Sequence, residues 1–260
     1  MALGSVRVLK ATASSSSSSS SNKRFVHDQP GTWHSQYGQD ATIHKLFADC
    51  RNCYFVDLAA NEPLYLSNTR TLERDYGWRG VCIEGNHELV RKLELQRRCH
   101  VVHALVGDSD GAEVVFSVRP DGIQSGFSRV LPNASAATIQ LEAERLANRS
   151  ASPLQLERHK SLRLASILDR VHAPHSIDYL SLDVEGHEEA VLGHFPFDRY
   201  TFRAMTVERP SDALKATLQT HGYHYIRNHG NHGDEFWVHG GVRGRAVALG
   251  LLPNVSSHSR

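Results

Sequence analysis

The sequence lacks the features that mark several large classes of protein. It has no glycine-rich G-x-G-x-x-G loop and no apolar run of membrane-spanning length. Its 29 basic residues nearly balance its 28 acidic residues. The missing loop argues against a NAD or FAD site, and the balanced charge gives no nucleic-acid-binding face. We therefore expect no nucleic-acid partner and no membrane span, in a chain whose 260 residues suffice for one domain with tails.

Cysteine is scarce, and its spacing does not match a zinc site. Cys50 and Cys53 form a C-x-x-C pair, but Cys82 and Cys99 do not supply the second pair that a zinc ribbon needs. Cys82 lies in a predicted buried strand and is expected in the core. Cys50 and Cys53 are close enough for a redox pair, although no catalytic context accompanies them.

Residues 1–34 differ in composition from the rest of the chain. They contain a serine run and basic residues, with no acidic residue before Asp28 and no apolar segment of the secretory type. This bias is typical of an organelle transit peptide, and a disordered tail is the alternative. We expect a cytoplasmic or organellar protein with a folded domain over residues 35–240 and a C-terminal tail over 241–260.

The stretch from Tyr54 to Pro63 organises the predicted fold. Residues 54–58 are mostly aromatic and β-branched, as in a strand covered on both faces. Small residues follow at Ala59, Ala60 and Asn61, and residues 67–69 offer N-cap side chains for a helix that runs to about Tyr76. A strand, a turn of small residues and a helix are typical of a nucleotide site, or of an ordinary βα turn.

The next strands supply further candidates for binding a nucleoside. The strand over residues 80–84 ends in Glu84, whose carboxylate can accept hydrogen bonds from ribose hydroxyls. Pro63 lacks the N–H that a pyrophosphate site would use. S-adenosylmethionine has a ribose, an adenine and a cation but no phosphate, so it suits these acids. A third strand is predicted over residues 100–106. Asp108 follows it and would either bind the adenine amino group or only form part of a turn.

A later strand brings acidic residues to the same edge of the sheet. It begins at Ile177, and its alternation places Asp183 and Glu185 together at the ligand edge. A carboxylate there could accept a proton, orient a substrate or bind a divalent ion, and His187 could be the base instead. Glu185 could equally favour the N-terminus of the following helix. The loosely patterned residues 119–160 are the candidate substrate cover.

Several motifs, in order, give the chain a resemblance to a known family. Residues 35–240 resemble the FkbM-type S-adenosylmethionine-dependent methyltransferases. The resemblance implies an α/β, doubly wound, mostly parallel Rossmann-like class I methyltransferase sheet with a C-terminal antiparallel hairpin. The motifs are Ser35-Gln-Tyr-Gly-Gln-Asp40, Phe55-Val-Asp-Leu-Ala-Ala-Asn61, Gly77-Trp-Arg-Gly-Val-Cys-Ile-Glu84 and Ile177-Asp-Tyr-Leu-Ser-Leu-Asp-Val-Glu-Gly186.

The same resemblance implies an activity and assigns roles to residues. The enzyme would methylate an oxygen of a small-molecule, sugar or lipid acceptor. Its cofactor would contact Asp57, Ala59, Asn61, Glu84 and Asp108, and the acceptor would face Asp183, Glu185 and His187.

The chain departs from the family pattern in its first motif. Ala59 stands where the family has glycine, and Glu62-Pro63 replaces an Asp-Gly pair. A positive φ at Ala59 would cost on the order of 1 kcal/mol. These departures favour a rival interpretation, a binding or scaffold protein that has lost the cofactor.

A further alternative is a metal-assisted hydrolase that uses the acids and the histidine after residue 182. No resident metal is predicted otherwise, because His229 and His232 lie in a turn that is polar in any case. The sequence does not predict the oligomeric state.

Overall fold

The computed structural model of the chain describes residues 8–9, 30–118, 130–132, 135, 137, 141 and 155–251. These residues form two β-sheets and seven helices, with the bounds that follow. The strands are β1 Val8–Leu9, β2 Tyr54–Leu58, β3 Arg79–Glu84, β4 His100–His103, β5 Leu105–Val106, β6 Glu113–Val118, β7 Val130–Pro132, β8 Gln155–Leu162, β9 Ser176–Leu182, β10 Thr201–Glu208, β11 Tyr223–His229 and β12 Asp234–His239. The helices are α1 Gln39–Leu46, α2 Arg70–Tyr76, α3 His87–Gln96, α4 Leu164–Arg170, α5 Glu188–Leu192, α6 Asp212–Thr220 and α7 Gly240–Ala248.

The large sheet has eight strands in the order β1-β4-β3-β2-β9-β10-β12-β11. Strands β4, β3, β2, β9 and β10 are parallel, whereas β1, β12 and β11 pair antiparallel with their neighbours. All five residues of β2 are buried, which explains their run of apolar side chains without alternation. The predicted α/β class with a mostly parallel central sheet is confirmed.

Two apolar cores lie on the two faces of this sheet. Val56 and Leu180 belong to one core, and Phe55 and Tyr179 belong to the other. Successive strand residues alternate between faces, so each central strand supplies side chains to both cores. This burial on both faces holds the carboxyl ends of the central strands at fixed positions.

The single predicted strand over residues 100–106 is wrong, because the chain changes sheets at Ala104. β4 pairs with β3 in the large sheet, while β5 pairs with β8 in a second sheet of order β5-β8-β6-β7. The Ala104 N–H donates to the Glu84 carbonyl oxygen over 3.1 Å. Apolar residues at 101–102 and 104–106, on both sides of the break, conceal it.

The predicted insertion over residues 119–160 also contains regular structure. Residues 130–132 form β7, and residues 155–160 lie in β8, which pairs antiparallel with β6. Helix α4 starts at Leu164, directly after β8, which continues through Leu162. The remainder of the insertion lies almost wholly outside the described residues, so its role as a substrate cover stays a prediction.

The four cysteines take two different states. Cys82 is buried as predicted, and its sulfur lies 2.9 Å from the sulfur of Cys99. Cys50 and Cys53 form a disulfide just before β2.

The helices were also compared with the requirements of a bilayer. No helix in the part of the chain that the structure describes is both long and apolar enough to cross a membrane.

Candidate active site

The topology creates one position in the large sheet where the chain reverses its direction of growth. From β2 the chain adds β3 and β4 on one side, and it later returns to add β9 and β10 on the other. β2 and β9 are neighbours, with Asp57 paired to Ser181 and Leu58 to Leu182. In open α/β sheets, ligands bind beyond the carboxyl ends of the strands at such a reversal.

A cleft of about 950 Å³ lies at this position, which we call the central cleft. Its walls are the residues that follow β2, β9 and β10, together with the turn between β11 and β12 and part of the segment before α2. Its volume lies at the upper end of the range for small-molecule sites. The predicted site residues in its lining are Asp57, Ala59, Asn61, Asp183 and Glu185.

Asp57 is held at the base of the central cleft by buried hydrogen bonds. Its Oδ2 accepts a 2.6 Å hydrogen bond from the hydroxyl of Thr69, which in turn accepts from Arg97 Nη2 over 2.7 Å. Burial raises the pKa of Asp57, while the Arg97 charge and the Thr69 hydroxyl lower it in part. The carboxyl is therefore buried but hydrogen-bonded, which fixes its orientation towards a ligand.

Glu84 supports the turn after β2 from below. Its Oε2 accepts from the Asn61 N–H over 2.9 Å, and its Oε1 accepts from the Asn86 N–H over 2.8 Å. Burial raises the pKa of Glu84, and these backbone donors oppose that effect. Glu84 does not line the central cleft itself, but it fixes the loop that does.

Backbone strain is concentrated around the cleft. Among the described residues, seven that are not glycine have positive φ, and five of these line the central cleft. Ala59 is one of them, with a φ of 60°. In this left-handed conformation the Cβ of alanine is strained, as expected from the sequence for a positive φ. The five are Ala59, Asn61, Leu66, Glu185 and Arg209. Strained backbone of this kind clusters at functional sites in proteins.

A group of carboxylates forms the side of the cleft next to β9 and β10. One oxygen from each of Asp183, Glu185 and Glu208 lies within 4.8 Å of the others. Arg209 Nη2 donates to Glu185 Oε2 over 2.9 Å and pairs with Glu208 Oε1 over 2.5 Å. We call these three acids the carboxylate cluster.

The carboxyl of Asp183 is strongly affected by its neighbours. The residue keeps exposed surface in the open cleft, but its carboxyl group is desolvated where it meets Glu208. This burial raises the pKa of Asp183 well above its usual range, and the contact with Glu208 and the negative charge of Glu185 add to the rise. Carboxyls crowded in this way are common where proton transfer or cation binding occurs.

His187 and Asp108 lie elsewhere, and neither lines the central cleft. His187 Nε2 lies 3.7 Å from the point where a Cβ would be placed on Gly107. Burial lowers the pKa of His187, and the charge of Asp108 partly opposes that shift. Asp108 lines a separate cavity between the β5–β6 connection and α4. The structure therefore brings these two residues near each other but not together with the predicted acids.

Several cleft residues were missed by the sequence analysis. Glu208 was not assigned to the site, although β2, β3, β9 and β10 all carry an acid near the same edge. That repetition was the signal that could have identified it. No local signal identifies Arg209 or Asn68, because their positions depend on how distant segments meet.

The chain matches a known protein family. The sequence model for the methyltransferase FkbM domain matches residues 57–243, well over half of the chain. The matched range contains all of the predicted site residues. No curated protein is similar enough to count as a match.

Proposed function

Since the chain belongs to the methyltransferase FkbM family, we propose that it transfers a methyl group from S-adenosylmethionine to an oxygen of a small-molecule, sugar or lipid acceptor. Membership of this family supports a methyltransferase function. The observation that carries the rest of the proposal is the position of the central cleft, which lies at the sheet reversal with Asp57 and Asp183 in its lining. A central parallel sheet with an antiparallel end supports the class I arrangement.

The charge of the cleft suits this cofactor. Among the described residues, six carboxylates and one guanidinium line it. S-adenosylmethionine carries a sulfonium and an ammonium against one carboxylate, so a net negative cleft attracts it. The carboxylates are those of Asp57, Glu62, Asp183, Glu185, Glu208 and Asp234, and the guanidinium is that of Arg209.

An unsatisfied acceptor in the wall also fits an ammonium group. Asn68 lines the cleft, and its Nδ2 donates to Ser181 Oγ over 2.9 Å. Its Oδ1 is buried, and no hydrogen-bond donor from the described part of the chain reaches it. Buried acceptors in native proteins are normally satisfied. A bound ligand with an N–H group would satisfy this one.

When bound, S-adenosylmethionine would supply an electrophilic methyl group. The bond between methyl carbon and sulfur would break with its electron pair left on sulfur, while the acceptor oxygen bonds to the methyl carbon and loses its proton. Asp57 and the strained turn over residues 59–61 would hold the cofactor. Asp183, in the lining of the cleft, would accept the proton in its ionised form. Because the methyl group is already activated, much of the rate enhancement would come from holding the acceptor oxygen in line with the methyl–sulfur bond.

The mouth of the cleft offers an apolar surface for the acceptor. Tyr65 is 68% exposed and Leu66 is 39% exposed, and both line the cleft. Large exposed apolar side chains beside a polar site are typical of ligand contacts. A sugar ring or an acyl chain could pack on Tyr65 while its hydroxyl points towards Asp183.

Calorimetric titration of the full chain with S-adenosylmethionine and S-adenosylhomocysteine tests the proposal. We expect micromolar binding, about −8 kcal/mol, that Asp57→Asn weakens. Asp108→Asn is the matched control, because Asp108 lies outside the cleft, and it should bind normally. A folded chain that binds neither compound would instead support the scaffold interpretation.

Turnover tests the role of Asp183 separately from cofactor binding. With an identified acceptor, Asp183→Asn should retain the affinity for S-adenosylhomocysteine and lose most of its methyl transfer. Full turnover by Asp183→Asn would remove Asp183 from the proton-transfer step.

A further inference from the structure

One oxygen in the central cleft has no partner that explains its burial. Glu208 is only 7% exposed, and its Oε1 pairs with Arg209 Nη2. Its Oε2 is fully buried, and within the described part of the chain no N–H or hydroxyl group donates to it. The group that meets Glu208 is another carboxyl, that of Asp183. Asp183 is exposed to the open cleft, but Glu208 is buried, and a buried carboxylate in contact with a second acid is stabilised by a positive species beside it.

The guanidinium of Arg209 does not neutralise the buried oxygen Oε2 of Glu208. Arg209 approaches the carboxylate cluster at Glu208 Oε1 and Glu185 Oε2 and leaves Glu208 Oε2 unpartnered. The three acids and nearby Asp234 carry four negative charges if ionised, against the one positive charge of Arg209. A proton shared by Asp183 and Glu208 would remove one charge, whereas a divalent ion would neutralise two and contact all three acids.

The geometry points to a divalent-cation site formed by Asp183, Glu185 and Glu208, in which a hard ion such as Mg²⁺, Mn²⁺ or Ca²⁺ would bind. The candidate ligand oxygens all lie within 4.8 Å of one another. Oxygens on opposite sides of one ion are about 4.2 Å apart for Mg²⁺ and up to about 5 Å apart for Ca²⁺. Oxygen-only ligand sets favour these hard ions over Zn²⁺ or Cu²⁺.

The site also restricts the acceptor, an extension that rests on the proposed function. Three protein oxygens leave other coordination positions of a six-coordinate ion open towards the cleft. An acceptor with a hydroxyl, especially one beside a second oxygen, could occupy them. The ion would make that hydroxyl more acidic, and its proton would pass to solvent or to a free carboxylate as the oxygen takes the methyl group. The acceptor class is therefore one that offers chelating oxygens, such as a sugar or a polyol.

The test is ion binding by the full chain after treatment with EDTA. Mg²⁺, Mn²⁺ and Ca²⁺ are each added during thermal unfolding and calorimetry, against potassium chloride of equal ionic strength. At about a hundred times its Kd, a single bound ion should raise Tm by about 5–10 °C. Electron paramagnetic resonance of Mn²⁺ should show one bound ion per chain.

Glu208→Gln is the decisive variant, because glutamine has nearly the same shape and removes the charge. Its Tm without ions should stay close to that of the wild type, because the relief of repulsion from Asp183 offsets the loss of the ion pair with Arg209, and it should lose the ion-dependent rise. Glu113→Gln, at an exposed position in the second sheet, is the control and should keep that rise. No ion-specific effect in the wild type, or an equal effect in Glu208→Gln, would overturn the cation site.

Titration with S-adenosylhomocysteine in the same samples separates the two proposals. Binding of this compound without ion binding would remove the cation site and leave the methyltransferase proposal standing. Ion binding without binding of S-adenosylhomocysteine would establish the cation site and contradict the proposed cofactor. Binding of neither would overturn both.

Discussion

The hydroxyl of Thr69 donates a 2.6 Å hydrogen bond to Oδ2 of Asp57, and both residues are buried. Thr69 lies at the start of α2, twelve residues after Asp57, so the bond ties the helix to the end of β2. Arg97 completes the arrangement by donating to the Thr69 oxygen. The orientation of the Asp57 carboxyl thus depends on a residue that does not line the cleft.

Thr69→Val should destabilise the protein and weaken cofactor binding. The substitution keeps the shape of the side chain but removes the donor to Asp57 and the acceptor for Arg97. Leaving buried polar groups unpaired costs about 1–3 kcal/mol, which urea unfolding would measure. Thr69→Ser retains the hydroxyl and should lose much less. An equal loss in both variants would mean that the methyl group of Thr69 matters, not its hydrogen bonds.

Ala59→Gly should stabilise the protein slightly. The left-handed conformation at Ala59 destabilises the folded state by about 1–2 kcal/mol, and glycine would remove this strain. Glycine also makes the unfolded chain more flexible, which lowers the free energy of unfolding by only about 0.4–1 kcal/mol. Thermal unfolding should therefore show a small rise in Tm. Ala60→Gly is the matched control, because Ala60 is buried and is not among the residues with positive φ. Its Tm should fall, and a similar fall in both variants would contradict the strain at Ala59.

Arg97→Met should be among the most damaging single substitutions. Arg97 Nε donates to Glu73 Oε2 over 2.7 Å, and both side chains are almost completely buried. Removing one partner of a buried pair costs about 3–5 kcal/mol, which the free energy of unfolding in urea would show. Arg245→Met is the control, because Arg245 is 39% exposed and pairs with Asp49 at 85% exposure. It should cost under about 1 kcal/mol, and similar losses in both would contradict the prediction.

His229 should contribute a loss of stability in mild acid. Burial lowers the pKa of His229 from 6.5 to about 4, and the nearby charge of Arg227 adds to the effect. Above about pH 6.5 neither state binds the proton. Between pH 6.5 and 4 only the unfolded state does, so the native state loses up to about 3 kcal/mol as the pH falls.

Unfolding in urea at a series of pH values would measure this contribution. His229→Gln should flatten the dependence between pH 6.5 and 4. The same substitution at His224, which is exposed on the same strand, is the control. An unchanged slope in His229→Gln would show that other groups cause the acid sensitivity.

Much of the fold was predictable because buried parallel strands have a distinctive composition. The apolar runs of β2, β3 and β9, each with an acid near its carboxyl end, identified the sheet and the edge where a ligand would bind. The family prediction is confirmed, since the model of the methyltransferase FkbM domain matches residues 57–243. The break at Ala104 was missed because both parts of the pattern are equally apolar, and only pairing with distant β8 separates them.

The site was harder to predict than the fold. Asp57 and Asp183 come from adjacent strands, so their proximity follows from the topology. His187 lies only four residues beyond Asp183, but the tight turn at residues 185–186, both at positive φ, separates them. Partners such as Thr69 and Arg209 depend on side-chain packing between segments, which one sequence does not specify.

The concentration of positive φ values around the cleft has a practical consequence for protein engineering. Selection for heat resistance alone would favour glycine at positions such as Ala59 and Leu66, because these positions hold unfavourable energy that substitution releases. Variants from such a selection would accumulate at the mouth and turn of the cleft, not in the two apolar cores. A screen for thermostable forms of this protein would thus trace the outline of its binding site.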